Sequence, residues 1–276
     1  FDAEALAFRR LNRQARHADD ADKARALQSL TLAAAEAELR ATDEADVIFA
    51  VSEEERDFIR DLDRDKPVFL LPSYVAALED PPGFESRSDL VFFGGFLAGS
   101  GSPNEDALLH LVREIMPLVW DAEPDVTLHV IGADPTETVL ELHGGGVDVV
   151  GYVPDPTEWL AKARLHVHPM RFGAGIKLKL IETMAAGLPF VTTRVGAEGL
   201  GLGALGALLV NDEPEEIARR TLLLYRNAEL WERTQRELLE VVKDRFSRTV
   251  FRRTLADAMM HAGMAPPTRD AAAATR

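Results

Sequence analysis

Lys162, Arg164, His166, His168, Arg171, Lys177 and Lys179 crowd into the window from Trp159 to Ile181, which contains no Asp or Glu. The rest of the chain is strongly acidic, with 46 Asp and Glu against 31 Lys and Arg and a formal charge of −15 over 276 residues. The window runs from the end of an apolar strand pattern, through a loop holding Gly173 and Gly175, into a helical pattern. Glycines let backbone N–H groups approach a ligand closely. A helix start adds unpaired donors and a partial positive charge. Arg grips phosphate oxygens as a fork and Lys acts as a point charge. Together these features describe a diphosphate site. From the charges alone, a solvated basic helix face remains equally open. His166 and His168 alternate on one strand and share a face. No further His or Cys at ligand spacing accompanies them, so their expected role is polar support of the loop rather than metal binding. Trp120, Trp159 and Trp231 are scattered and read as packing residues, and His129 and His143 as structural or exposed ones.

The elements that must position this window follow from hydrophobic spacing. Val47–Val51 and Pro67–Leu71 read as short buried strands, and Ser52 with Glu55 three residues on is a capping box that opens a helix. Residues 20–43 show helical spacing of Ala and Leu. Glu79 to Asp89 is the best linker, with two prolines, a glycine and charges. Beyond it, strands at Leu90–Phe93, Val126–Ile131, Val147–Val150, Leu165–His168 and Pro189–Thr193 alternate with helical stretches, among them Asn104–Trp120 and Lys177–Ala186. This alternation implies right-handed βαβ units. The fold class is therefore α/β, a Rossmann-like parallel sheet with helices on both faces, preceded by a partial α/β segment. Residues 1–78 form that segment, 79–89 the linker and 90–245 the main domain. Pro214 to about His261 reads as helical throughout, with 246–264 a C-terminal helix and 265–276 a disordered tail. Hydrophobic residues at 46% supply the cores. The acidic balance argues against a nucleic-acid binder. The absence of Cys removes disulfides and thiolate chemistry.

The run from Pro169 to Leu200, Pro-Met-Arg-Phe-Gly-Ala-Gly-Ile-Lys-Leu-Lys-Leu-Ile-Glu-Thr-Met-Ala-Ala-Gly-Leu-Pro, continuing Phe-Val-Thr-Thr-Arg-Val-Gly-Ala-Glu-Gly-Leu, resembles the donor-binding segment of GT-B glycosyltransferases of the group-1, family 4-like kind. Gly94-Gly95 with Pro103-Asn104, Val130-Ile131-Gly132 and Gly151-Tyr152-Val153-Pro154-Asp155 resemble further pieces of that C-terminal domain in the same order, and residues 90–245 match throughout. The resemblance implies that Glu182 hydrogen-bonds the ribose hydroxyls of a sugar nucleotide, a task suited to a carboxylate. A bland alternative is a helix glutamate favoured by the dipole. Arg171, Lys177 and Lys179 would face the diphosphate, with Lys177 foremost and Lys179 equally able to point to solvent. Gly94, Gly95, Gly173 and Gly175 would shape the loops around the donor, and Tyr152 and Val153 would meet the base. No catalytic residue is assigned. The sequence departs from many relatives at Ala174, where they carry a glutamate that contacts the donor sugar.

The resemblance implies a glycosyltransferase that moves sugar from a nucleotide-sugar substrate, without a further cofactor, to a glycan, lipid-linked or protein acceptor. Retention of configuration and independence of metal are part of that implication. A GT-B enzyme has two Rossmann-like domains, and the residues before the linker are too few for the first. Asp2 and Glu4 would lie near the cleft between domains. The expectation is a donor-binding half that needs a missing N-terminal domain or partner and is inactive alone. It would be cytoplasmic, or peripheral to the inner face of a membrane, and would not bind nucleic acid. A non-catalytic nucleotide-sugar-binding or scaffolding subunit is the main rival, and an epimerase of the same fold a minor one.

Overall fold

The computed structural model describes residues 1–3, 5–18, 20–96, 99 and 101–264. Glu4 and the tail 265–276, both named above, lie outside the described residues. The described strands form two parallel sheets. The first is small, with order β1-β2-β3 from β1 (Asp2–Ala3), β2 (Ile48–Ala50) and β3 (Val68–Leu70). The helices associated with it are α1 (Ala7–Arg16), α2 (Ala21–Glu44) and α3 (Glu53–Leu62). Ser52 caps α3 by accepting from the Glu55 N–H, as the capping-box spacing predicts.

Neither β1 nor α1 is among the elements expected above, although Phe8, Leu11 and Ala15 do fall at helical spacing on the covered face of α1. The start of α1 is held from outside: Glu55 accepts the Leu6 N–H at 3.0 Å, and Glu38 accepts those of Ala7 and Phe8 at 2.7 and 3.2 Å. Two carboxylates thus meet the unpaired donors of a helix N-terminus. The helix expected at 20–43 is α2, capped by Asp20. Its half-buried positions include Ala24, Leu27, Thr31, Ala34 and Ala35, whereas Leu30 and Leu32 are exposed. The Leu pattern therefore does not mark its buried face, because α2 packs chiefly on α1.

The second sheet has order β6-β5-β4-β7-β8, all parallel. Its strands are β4 (Ser88–Phe93), β5 (Leu128–Ile131), β6 (Val147–Gly151), β7 (Ala163–His168) and β8 (Phe190–Thr192). Along β4, Leu90 and Phe92 enter the large core while Val91 and Phe93 face a second cluster with Leu160, Ala163, Ala186 and Leu188. Burial on both faces is what makes these strands continuous apolar runs. Helix α4 (Pro103–His110) passes through a wide turn at Leu111–Ile115 into α5 (Met116–Ala122). Pro117 explains the turn, since it lacks an N–H and crowds the carbonyl four residues back. The short α6 (Glu137–Leu140) and α7 (Thr157–Lys162) follow β5 and β6, and α8 (Leu178–Ala185) joins β7 to β8.

After the short α9 (Arg194–Ala197) and α10 (Gly206–Leu209), the stretch read as continuously helical is three helices: α11 (Pro214–Arg226), α12 (Ala228–Arg245) and α13 (Arg248–His261). Asn227 and Ser247 cap the second and third, accepting from the N–H groups of Leu230 and Val250. Helix α13 returns to the first sheet, with His261 5.8 Å from Phe69.

The linker residues 79–89 are only partly free-standing. Ser88 and Asp89 belong to β4, Phe84 is buried, and Arg87 is 1% exposed. Arg87 donates to the carbonyls of Pro82, Leu160, Ala163, Ala186 and Gly187, and its guanidinium lies 5.3 Å from the Trp231 ring. It thereby joins the linker to the C-terminal ends of α7 and α8.

Candidate donor-binding site

In the second sheet the chain reverses its direction of build between neighbours β4 and β7, because β4 connects outward to β5 and β7 to β8. Loops leaving the carboxyl ends of such a pair diverge and open a crevice. Gly94 and Gly95 leave β4, and the loop 169–177 leaves β7. Gly132 supports the first loop from behind. A Cβ there would come 2.2 Å from the Gly94 carbonyl oxygen, so only glycine lets β5 end so near.

Helix α8 brings two lysines to this crevice at its N-terminus, with Lys177 as N-cap. Lys179 turns inward: its Nζ donates to Asn104 Oδ1, while Asn104 Nδ2 donates 2.5 Å to the Gly95 carbonyl. A Cβ on Gly94 would sit 3.0 Å from the Lys179 Nζ. This settles the open orientation of Lys179, which faces the glycine loop and not solvent. Burial, then the nearby charge of Lys177, lowers Lys179 to about 7, with Glu182 opposing. Lys177 is buried, donates to the Gly175 carbonyl, and is lowered to about 8 by burial against the pull of Glu198. Two desolvated cations at the end of a helix that prefers anions form an arrangement that an anion would relieve.

Glu182 lies one turn along α8 from Lys179. Burial raises its pKa and Lys179 partly opposes the rise. It lines a groove of about 310 Å³ with Val75, Ala76, Leu78, Asp155 and Thr157. The 151–155 loop thus reaches the groove through Asp155, not through the two residues singled out above. Tyr152 is 69% exposed, and Val153 packs with the cluster around Trp159. Arg171 is also placed elsewhere. Its guanidinium forks onto Asp106, at 3.0 and 2.5 Å, and it borders a cleft of about 320 Å³ between α1 and α4, beside His17 and Arg113. Gly173 and Gly175 shape the loop: Gly175 has φ +65°, and a Cβ on Gly173 would press on the Met170 sulfur at 2.9 Å.

The histidines tie the crevice together. Phe93 N–H donates to His166 Nε2 at 3.3 Å, His166 Nδ1 meets Thr183 Oγ1 at 2.8 Å, and Thr183 donates to the Lys179 carbonyl at 2.7 Å. A neutral ring with its proton on Nδ1 satisfies the whole chain. Burial holds His166 near 3 and His168 well below its usual range. Neither ring nitrogen of His168 has a partner among the described residues. No three His, Asp or Glu side chains converge as a metal cage among the described residues.

Because both histidines are neutral when folded but titrate near 6.5 when unfolded, their contribution is complete above pH 6.5 and is lost as pH falls toward the folded values. Stability should drop by about 1.4 kcal/mol per pH unit per histidine in that range. His168→Leu removes one of these protons and a buried polar ring without partners, so it should fold as stably at pH 7 and lose less at pH 5. Urea denaturation at the two pH values reads both effects.

Two residues important to this geometry were not singled out by sequence reasoning. Glu198, after α9, is buried and accepts a fork from Arg13 of α1 at 2.7 and 3.0 Å. The i, i+4 spacing of Arg9 and Arg13 was the available signal for that face of α1. Nothing in the local pattern marks Glu198.

A family model described as glycosyl transferases group 1 matches residues 87–227, just over half of the chain, including the glycine loops, α8 and Glu182. The chain belongs to the group 1 glycosyltransferase family. Within it, the Rossmann-like sheet and helices are those of the GT-B fold. An uncharacterized 44.6 kDa protein in the cps region of Klebsiella pneumoniae is 25% identical over 168 residues, 55% of this chain and 42% of that protein. A mutant of S. aureus TarM, solved with fondaparinux, α-GlcNAc-glycerol and UDP, superposes with a TM-score of 0.63 at 18% identity, covering 79% of this chain and 44% of TarM. Anabaena Alr3699/HepE, solved with UDP and glucose, gives 0.59 at 15% identity, covering 80% of this chain and 64% of HepE. These two likenesses concern the fold. The chain spans less than half the length of the Klebsiella protein and of TarM. Among the described residues no helix is long and apolar enough to cross a membrane.

Proposed function

We propose that this group 1 glycosyltransferase chain holds the nucleotide-sugar donor, with the diphosphate between Gly94-Gly95 and the N-terminus of α8 and the nucleoside in the groove beside Glu182. The observation that carries the reading is the pair of desolvated lysines, Lys177 and Lys179, at that helix start, with a carboxylate one turn further on. Positive charge there stabilises the departing nucleoside diphosphate as the sugar–oxygen bond breaks. In this reading transfer retains configuration, needs no metal, and goes to a glycan, lipid-linked or protein acceptor presented by a further domain or partner. The UDP in the TarM and HepE structures makes UDP-sugars the first candidates. Arg171 is left out of the diphosphate contacts because Asp106 engages it. The rival, a binding subunit without turnover, draws support from Ala174, whose methyl group offers no polar contact to a sugar.

Thermal unfolding with UDP, GDP, ADP and their sugar conjugates tests the reading. A ligand at about 100 times its dissociation constant should add about 2.7 kcal/mol. One nucleotide series should shift the midpoint, and Glu182→Ala should abolish the shift. A folded chain that responds to none of them would contradict the proposal.

A further inference from the structure

Glu198 is 5% exposed at its side chain and is approached by three cations from two parts of the molecule. From α1, Arg13 places Nη1 2.7 Å from Oε2 and Nη2 3.0 Å from Oε1, and Arg9 Nη2 lies 3.2 Å from Oε1. From the start of α8, Lys177 Nζ lies 3.8 Å from Oε2. Arg13 Nη1 also donates to the Gly173 carbonyl at 2.7 Å. One carboxylate therefore anchors a guanidinium that grips one end of the 173–177 loop and an ammonium that forms its other end. Its own position is fixed by packing: Gly199, next in sequence, has φ +78°, and a Cβ on it would lie 2.9 Å from Cβ of Ser52, the cap of α3. Burying a carboxylate in this way is unfavourable unless it is paired. Burial does oppose ionisation, yet the Arg13 hydrogen bonds with the charges of Lys177 and Arg9 hold Glu198 below its usual range.

We propose that Glu198 is a positioning residue of the donor site, holding Lys177 at the mouth of the loop and, through Arg13, making donor affinity depend on α1. Glu198 does not touch the donor; it acts through Lys177 and Gly173. The inference rests on the donor-site reading above, and deepens it by coupling the first sheet's helices to the loop that would bind phosphate. A merely structural role, gluing α1 to the second sheet, predicts lost stability and nothing else.

The groups facing Lys177 separate the two roles. Glu198, Glu54 and Glu55 favour its charge, whereas Arg13 and the neighbouring Lys179 oppose it, and His168 beside it is neutral. Removing Glu198's charge lowers the pH at which Lys177 loses its proton. Removing Arg13's charge raises it. A cation that binds phosphate only when protonated transmits these shifts to affinity: binding is full below its free-state value and weakens as pH rises through it.

The test is the dissociation constant of UDP-glucose, or of the nucleotide sugar found in the thermal panel, measured by calorimetry between pH 6 and 9.5. The chain is compared with Glu198→Gln and Arg13→Gln. The unmodified chain should lose affinity as pH rises through 7 to 8. Glu198→Gln should weaken binding about ten- to a hundredfold at pH 7.5, the loss seen when a group that orients a metal-ligating side chain is removed, and move the decline to lower pH. Arg13→Gln should move the decline to higher pH. Should Glu198→Gln fail to fold, the direction of the Arg13→Gln shift alone decides. Lowered melting temperatures with an unchanged pH profile in both variants would overturn the inference and leave the donor site standing. No binding by the unmodified chain would overturn the donor-site reading, and the inference with it.

Discussion

Arg87→Met should destabilise the chain by about 3–5 kcal/mol, because several buried main-chain carbonyls are left without their donor. Among the described residues the guanidinium carries no carboxylate partner; its hydrogen bonds run to five main-chain carbonyls. Gln235 would still serve two of these, donating to Pro82 at 3.0 Å and to Gly187 at 2.7 Å. The carbonyls of Leu160 and Ala186, at or near the C-terminal ends of α7 and α8, would lose a buried cation where the helix dipole favours one. Burial lowers Arg87 to about 10, so it stays charged at neutral pH. For a chain of this size the loss corresponds to roughly 5–9 °C in melting temperature. Lysine cannot fork across two helix ends, so Arg87→Lys should recover little. Calorimetric scans of the two variants read the effect, and a drop under about 1 kcal/mol would show that the network does not hold α7 to α8.

Lys179→Met should do the opposite to stability while removing function. Lys179 is a desolvated cation at a helix N-terminus, hydrogen-bonded to a neutral amide and lowered to about 7. Replacing it with an apolar chain of similar length removes that unfavourable charge, and should stabilise the chain by about 0.5–2 kcal/mol, the usual gain when a functional site is relaxed. In the proposed donor site the same change removes a charge-assisted contact to the diphosphate, and it takes from Asn104 Oδ1 the donor that holds the amide in place. Nucleotide-sugar affinity should fall by about a hundredfold, or ~3 kcal/mol. A rise in melting temperature together with lost binding is the signature. Lost binding with lost stability would instead assign Lys179 to structure.

The succession of strands after the linker and the glycine loops at their ends were legible because strands of a sheet buried on both faces are largely apolar runs, and β4, β5, β6 and β7 stop at Gly or Pro. The acid-free window located the basic loop because Lys177 and Lys179 take their countercharge from outside it, from Glu198 across the fold and from Glu182 one turn along α8. Less visible were contacts made across the fold. Arg87 sits among prolines and charges that spell a linker, and only the tertiary structure shows it buried between two helix ends. Arg171 carries the charge expected at a phosphate, yet Asp106 on α4 claims it, a partner 65 residues away. Helix α1 escaped notice because its N-terminus is capped by Glu38 and Glu55 from other elements, not by its own sequence. The Leu spacing in α2 suggested a buried stripe, and Leu30 and Leu32 proved exposed because α1 covers a different face.

The most direct test of the account is a crystal structure of the chain with the nucleotide sugar that stabilises it. The account predicts the diphosphate against the Gly94-Gly95 backbone and the Lys179 ammonium, with the ribose hydroxyls on Glu182. A nucleotide seated instead in the cleft between α1 and α4, on Arg171, Arg113 and His17, would contradict it.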